Sequence, residues 1–167
     1  MRKDLVCCFT GHRSIEPHDS DILHAVLGDI LEKLIKNGVT VFRSGGAYGF
    51  DICAALEVIE KRKKYPFVQL HLYLPCKEQT LNWDGRDKDV YKKMLDNADK
   101  IVYTSEEYSA GCMHHRDRCL VDGADICIAY CKKSKGGTAY TLNYAKEKKL
   151  GIFNIAKSAD EKKDTSL

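Results

Sequence analysis

Ile22, Leu23, Val26, Leu27, Ile30, Leu31, Leu34 and Ile35 recur at spacings of three and four, the rhythm of one apolar helical face. Asp19 or Ser20 is the expected N-cap of this helix and Gly38 its stop. Ile52, Ala55, Leu56 and Ile59 mark a second amphipathic helix. Around these lie short apolar runs at residues 5–10, 39–43, 69–74, 98–104, 124–131 and 151–155, of strand length and without helical rhythm. Strands alternating with helices predict right-handed βαβ units. The expected fold is therefore a doubly wound α/β domain, with a mainly parallel sheet of about six strands and helices on both faces. It should occupy residues 1–156. Residues 157–167 lack apolar rhythm and are expected to form a flexible tail.

Composition narrows the function classes. At 167 residues and 44% apolar side chains, the chain can bury a core without metal or disulfide staples. Lys plus Arg number 27 against 24 Asp plus Glu, so no strong positive field favours nucleic acid or anionic lipid. No apolar run reaches membrane-spanning length, and the one at 5–9 is too short for a signal-peptide core, so a cytoplasmic location is expected. Cys7, Cys8, Cys127 and Cys131 fall inside strand-like runs and no Cys-x-x-Cys pair exists. The eight cysteines are expected to be free thiols. His114 and His115, adjacent on a helix, point about 100° apart and make a poor metal pair, and no metal ligands are assigned.

In open α/β sheets the ligand crevice lies beyond the carboxyl ends of the strands. Three loops fall there: Gly11-His12-Arg13, Ser44-Gly45-Gly46-Ala47-Tyr48-Gly49 and Gly136-Gly137-Thr138. Glycines before a helix let backbone amides and the positive end of the helix dipole approach an anion; alone, each pair is equally consistent with a tight turn. Two such loops with a nearby arginine favour phosphate. Neither is a P-loop or a Gly-x-Gly-x-x-Gly. Arg116 and Arg118 lie on different faces of one helix, and either offers a bidentate clamp for phosphate. Asp51 is placed to bind ligand hydroxyls or to cap its helix, and Trp83 to stack on a base or to pack.

Taken together, Phe9-Thr10-Gly11-His12-Arg13, the segment from Ser44 to Asp51, Arg116-Asp117-Arg118 and Gly136-Gly137-Thr138 resemble the SLOG superfamily nearly throughout the chain to Ile155. The branch they resemble most is that of the small bacterial and phage YpsA/YspA-like proteins, which share the Gln79 and Trp83 pattern. This resemblance implies a Rossmann-like fold, a homodimer or higher homo-oligomer, and a nucleotide or nucleotide derivative as ligand. No cofactor is firmly implied beyond a bound nucleotide of the NAD or ADP-ribose type. The chain is also similar to the cytokinin-activating phosphoribohydrolases (lysine decarboxylase-like), through Met113-His114-His115-Arg116 and Gly136-Gly137. There Asn143 stands where that family carries its catalytic Glu, and an amide has no titratable carboxyl. The Ser-Gly-x-Ala-x-Gly-x-Asp loop resembles that of the DNA-processing protein DprA, which grips single-stranded DNA.

The expected function is thus nucleotide binding as a sensor or regulator. The alternatives are an N-glycosidic hydrolase of nucleoside 5'-monophosphates and a single-stranded DNA-binding module. Expected ligand residues are Gly11, His12, Arg13, Ser44, Gly45, Gly46, Ala47, Gly49, Asp51, Trp83, Arg116, Gly136, Gly137, Thr138 and Asn143, with no catalytic residue assigned.

Overall fold

The structure, a computed structural model, describes residues 4–156. Along the chain run β1 (Leu5–Gly11), α1 (Pro17–Lys36), β2 (Val39–Ser44), α2 (Phe50–Arg62), β3 (Gln69–Leu74), α3 (Gly85–Asp96), β4 (Lys100–Tyr103), α4 (Cys112–Val121), β5 (Ile126–Tyr130), α5 (Gly137–Glu147) and β6 (Gly151–Asn154). The strands form one parallel sheet in the order β4-β3-β2-β1-β5-β6. The doubly wound α/β fold expected from the apolar pattern is the fold observed. The expected tail, 157–167, lies outside the described residues.

Strand order reverses at β1, whose neighbours are β2 and β5. This is the switch point at which such sheets open a crevice. Alternate side chains of the central strands feed opposite faces. Cys7 and Phe9 of β1 join Ile128 and Tyr130 of β5 in a core covered by α1, α2 and α3. Cys8 and Cys127 point the other way, under α4 and α5. Cys8 and Cys127 are also register partners on adjacent strands. Their mutual hydrogen bond and their burial push the Cys8 thiol well above its ordinary range. All eight cysteines are free, as expected.

The largest buried side chains lie under the crevice. Phe9 stacks on Phe42 at 5.9 Å and meets the edge of Phe50 at 6.3 Å, and Phe50 stacks on Tyr130 at 6.0 Å. Truncating such a buried ring to Ala typically costs about 3–5 kcal/mol. Phe50 is the first residue of α2, so the glycine loop before it is anchored at one end in the core.

One helix boundary departs from the sequence reading. α1 begins at Pro17, with Glu16 as N-cap, not after Asp19 or Ser20. Proline at the first helical position is preset in φ and lacks an N–H that would otherwise go unpaired. Asp19 is instead fully buried in the first turn, where it accepts hydrogen bonds from the Tyr130 hydroxyl and the Lys132 ammonium, each at 2.7 Å. Asn37 and Gly38, the latter at φ +103°, end the helix where the pattern placed its stop. The strands predicted at 98–104, 124–131 and 151–155 are shorter, and Asp99 and Asp125, just before the first two, accept hydrogen bonds from the backbone amides of Leu70 and Val6.

Gly49 is the tightest backbone approach. It sits at φ +90°, and a Cβ there would lie 2.2 Å from the Arg13 carbonyl oxygen. Gly49→Ala is expected to cost about 3 kcal/mol from strain and clash together, lowering the melting temperature by roughly 6–12 °C. Gly28 lies in the middle of α1, where an added Cβ meets only a Glu57 carboxylate oxygen at 3.8 Å. Gly28→Ala should therefore raise stability by about 0.5–1 kcal/mol through helix propensity. Thermal melts of the two variants showing shifts of the same sign would contradict this assignment of backbone constraint.

Candidate functional site

The β2–α2 loop turns sharply because Ser44 folds it onto itself. The Ser44 hydroxyl donates to the Asp51 carbonyl at 2.9 Å and accepts from the Gly46 amide at 3.2 Å. The Ala47 amide donates to Asp51 Oδ2 at 3.3 Å. Arg116 arrives from α4, on the far side of the crevice, and Nη1 donates to the Gly45 carbonyl at 2.6 Å. Its Nε donates to Asp117 Oδ1 at 2.8 Å. A Cβ at Gly45 would come within 2.8 Å of Arg116 Nη1, so this position has no room for a side chain. Arg116 is only 5% exposed, and its guanidinium is held on two sides.

Two adjoining cavities open above these bonds. A polar one of about 310 Å³ is bounded by the end of β1, the N-terminal halves of α4 and α5, and the glycine loop. Gly11, His12, Arg13, Ala47, Asp51, Arg116, Gly137 and Thr138 all line it, so the structure gathers eight of the residues singled out from the sequence. Thr10, Met113, His114, Asp117 and Thr141 complete its wall. An aromatic-walled cavity of about 600 Å³ adjoins it, sharing Arg13, Ala47 and Met113, and is lined by Trp83, Tyr48, Gln79 and Tyr108.

α5 opens the polar cavity with a helix N-terminus. Gly136, at φ +104°, precedes it, no side chain caps it, and its first turn carries no acid. The first amides of a helix have no intrahelical partner, and with the macrodipole they favour an anion. α4 enters the same cavity uncapped, after Gly111. Arg13 is exposed and faces both cavities. The described geometry is therefore a polar bowl with two helix N-termini and two guanidinium groups, beside an aromatic slot.

Other predicted residues take different positions. Ser44, Gly45 and Gly46 lie beneath the polar cavity as scaffold, and Gly49 is packed against Arg13. His12 is a junction as well as a wall residue. Its amide donates to the Tyr130 carbonyl, its carbonyl accepts from the Phe50 amide, and Nε2 accepts from the Lys132 amide at 2.7 Å. Burial, with Lys133 and Lys132 nearby, lowers its pKa, consistent with a neutral ring whose Nε2 is an acceptor. Asn143 is on the exposed face of α5 and lines neither cavity. Helical phase accounts for its position: Thr138 and Thr141, three residues apart, share the inner face, and Asn143 is about 200° beyond Thr141. Arg118 also faces away, donating to the Tyr140 hydroxyl at 2.9 Å.

The residues that the sequence reading missed follow from the same periodicity or from the tertiary fold. Thr141 is one turn beyond Thr138, a signal present in the sequence. Asp117 is brought in by its bond to Arg116. Of the aromatic slot, the sequence marks Gln79 and Trp83, while Tyr108 is brought to it by the tertiary fold. Trp83 packs edge-on against Tyr48 at 5.8 Å and Tyr91 at 5.3 Å, so the single tryptophan both lines the slot and packs.

Comparison with known proteins places this geometry. The family model described as YspA SLOG family matches residues 7–156. The chain is 34% identical over 135 residues to the SPbeta prophage-derived protein YoqJ of Bacillus subtilis, covering 73% of this chain and 79% of that protein. Its fold is similar to that of DNA processing protein A from Helicobacter pylori, with a TM-score of 0.66 at 20% identity. That structure was solved to describe a single-stranded DNA binding mode. DprA from Streptococcus pneumoniae gives a TM-score of 0.65 at 14% identity. The match covers 90% of this chain in both cases, but only 64% and 50% of the two DprA chains. Among the described residues, no helix is long and apolar enough to cross a membrane.

The electrostatics of the polar cavity centre on Asp51. Burial, opposed by Arg116 and reinforced by Asp117, pushes its pKa up to about 7. The unfolded value is about 3.9, so between roughly pH 4 and 7 the folded chain holds a proton that the unfolded chain releases. Stability should fall as pH rises through that window. Asp51→Asn keeps an acceptor for the Ala47 amide and removes the titration. Melting temperatures from pH 5 to 7.5 should fall less in the variant than in the wild type, and equal slopes would place the titrating charge elsewhere.

Proposed function

This chain belongs to the YspA SLOG family, and we propose that it binds a nucleotide or nucleotide derivative through its phosphate groups, as a sensor or regulatory domain. The observation that carries the reading is the polar cavity at the switch point, where the uncapped start of α5 at Gly137 and Thr138 faces Arg13 and Arg116. Backbone amides and guanidinium groups together recognise phosphate oxygens. The adjoining aromatic slot supplies the flat apolar surface that a base requires. A molecule spanning both cavities has the character of an ADP-ribose or NAD-type ligand.

The phosphoribohydrolase acid has no counterpart in the polar cavity at its motif position. The carboxylates lining the polar cavity are Asp51 and Asp117, one bonded to the Ala47 amide and the other to Arg116. Asn143, at the position of the phosphoribohydrolase acid, is on the outer face of α5.

Single-stranded DNA is the second reading, favoured by the fold shared with a DprA whose structure concerns that ligand. The basic run from Lys61 to Lys64 does not supply it with free charge. Lys61 and Lys64 pair with Glu32, Arg62 with Asp99 and Lys63 with Glu60. The run also ends α2, which places it at the opposite end of the sheet from the crevice.

At 100 times Kd, a phosphorylated nucleotide should stabilise the chain by about 2.7 kcal/mol, or roughly 5–10 °C in melting temperature. The corresponding free nucleoside should give little shift. Arg13 is exposed, so Arg13→Ala should reduce the ligand-induced shift while moving the unliganded melt by no more than about 0.5 kcal/mol. No shift with any nucleotide, dinucleotide or ADP-ribose at millimolar concentration would overturn the reading. Tight, steeply salt-dependent binding of a DNA oligonucleotide would replace it with the second.

A further inference from the structure

The aromatic slot holds one polar group whose partner is missing. Gln79 lies in its wall, in the chain between β3 and α3. Its Nε2 donates to the Gly46 carbonyl at 3.4 Å and to the Tyr91 hydroxyl at 3.3 Å. A carbonyl only accepts, so the amide can face Gly46 only with its nitrogen, and this orients the side chain. Oε1 is then left buried with no hydrogen-bond partner among the described residues. A buried acceptor without a protein donor is costly, and beside a cavity it is a point at which a ligand N–H gains a hydrogen bond by supplying one.

The surroundings restrict what that donor belongs to. Trp83 and Tyr48 give the slot flat apolar surfaces. Leu81 and Tyr108, 72% and 69% exposed, stand at its rim on two different loops. Large apolar side chains this exposed beside a cavity are suited to cover a ring that enters it. A planar heterocycle with an N–H donor on its edge satisfies both the aromatic walls and the orphaned oxygen.

We propose that the larger cavity is a nucleobase subsite selective for an exocyclic amino group, and that Gln79 Oε1 is the acceptor that reads it. The proposal rests on the nucleotide reading above and adds a base preference to it. Oε1 is shielded in this structure, so the proposal requires the Gln79 amide to turn toward the slot when a base enters. A base with a carbonyl in place of the amino group would set two acceptors against each other. Sites that hydrogen-bond a substrate group discriminate strongly against analogues lacking it.

The test is calorimetric titration of the full chain with ADP against IDP, and CDP against UDP, with inorganic pyrophosphate as a phosphate-only probe. The amino-bearing member of at least one pair should bind at least tenfold more tightly. Gln79→Met should bring that pair within about twofold of each other while leaving the pyrophosphate affinity unchanged. Unchanged pyrophosphate binding also shows that the variant is folded. Pairs within twofold in the wild type, or a preference that survives in Gln79→Met, would overturn the proposal while leaving the nucleotide reading intact. Absence of binding by all the nucleotides and by pyrophosphate would overturn both.

Discussion

The hydrogen bond from Arg116 to the Gly45 carbonyl ties together segments 71 residues apart and shapes everything above it. A charged donor to a carbonyl is stronger than a neutral pair, and here it is formed away from water. It holds α4 against the β2–α2 loop, which in turn buries Asp51 and defines the floor of the polar cavity. The absence of a side chain at Gly45 is the steric condition for it. Arg116 is thus best understood as the residue that builds the bowl and lends it charge, whereas Arg13 is the exposed cation at its opening.

A second layer of support comes from the aromatic core. Phe50 stacks on Tyr130, whose hydroxyl reaches Asp19, and the same carboxylate takes Lys132. The backbone of Lys132 then returns to His12 at the end of β1. The loops after β1, β2 and β5 are therefore fixed to one another by bonds that run from the buried Asp19 out to the exposed contact between Lys132 and His12. Such a crevice is largely formed before ligand arrives, which limits the ordering cost of binding.

The fold was legible because its signals are local. The apolar rhythm of α1 and the strand-length runs need only their own neighbours in sequence, and the glycine loops advertise close backbone approach. The roles of individual polar residues were less legible, since long-range partners decide them. Asp19 has the character of a helix cap but is consumed by Tyr130 and Lys132, more than 100 residues away. Arg116 was found by its motif, yet the direction of its Nη1 depends on a loop in another βαβ unit. Asn143 was placed by matching a motif without its helical phase, and the phase turns it outward. The acceptor on Gln79 is defined by what the fold leaves unpaired, and no local pattern encodes that.

The central claim is that phosphate sits over the start of α5 and a base lies beside Trp83. Backbone amide and indole NMR shifts recorded during titration with ADP-ribose test it most directly. The account predicts coherent, saturable shifts at Gly11, Ala47, Gly137 and Thr138 together with the Trp83 indole N–H. Shifts confined to the Lys61 to Lys64 end of the molecule, or none at millimolar ligand, would contradict it.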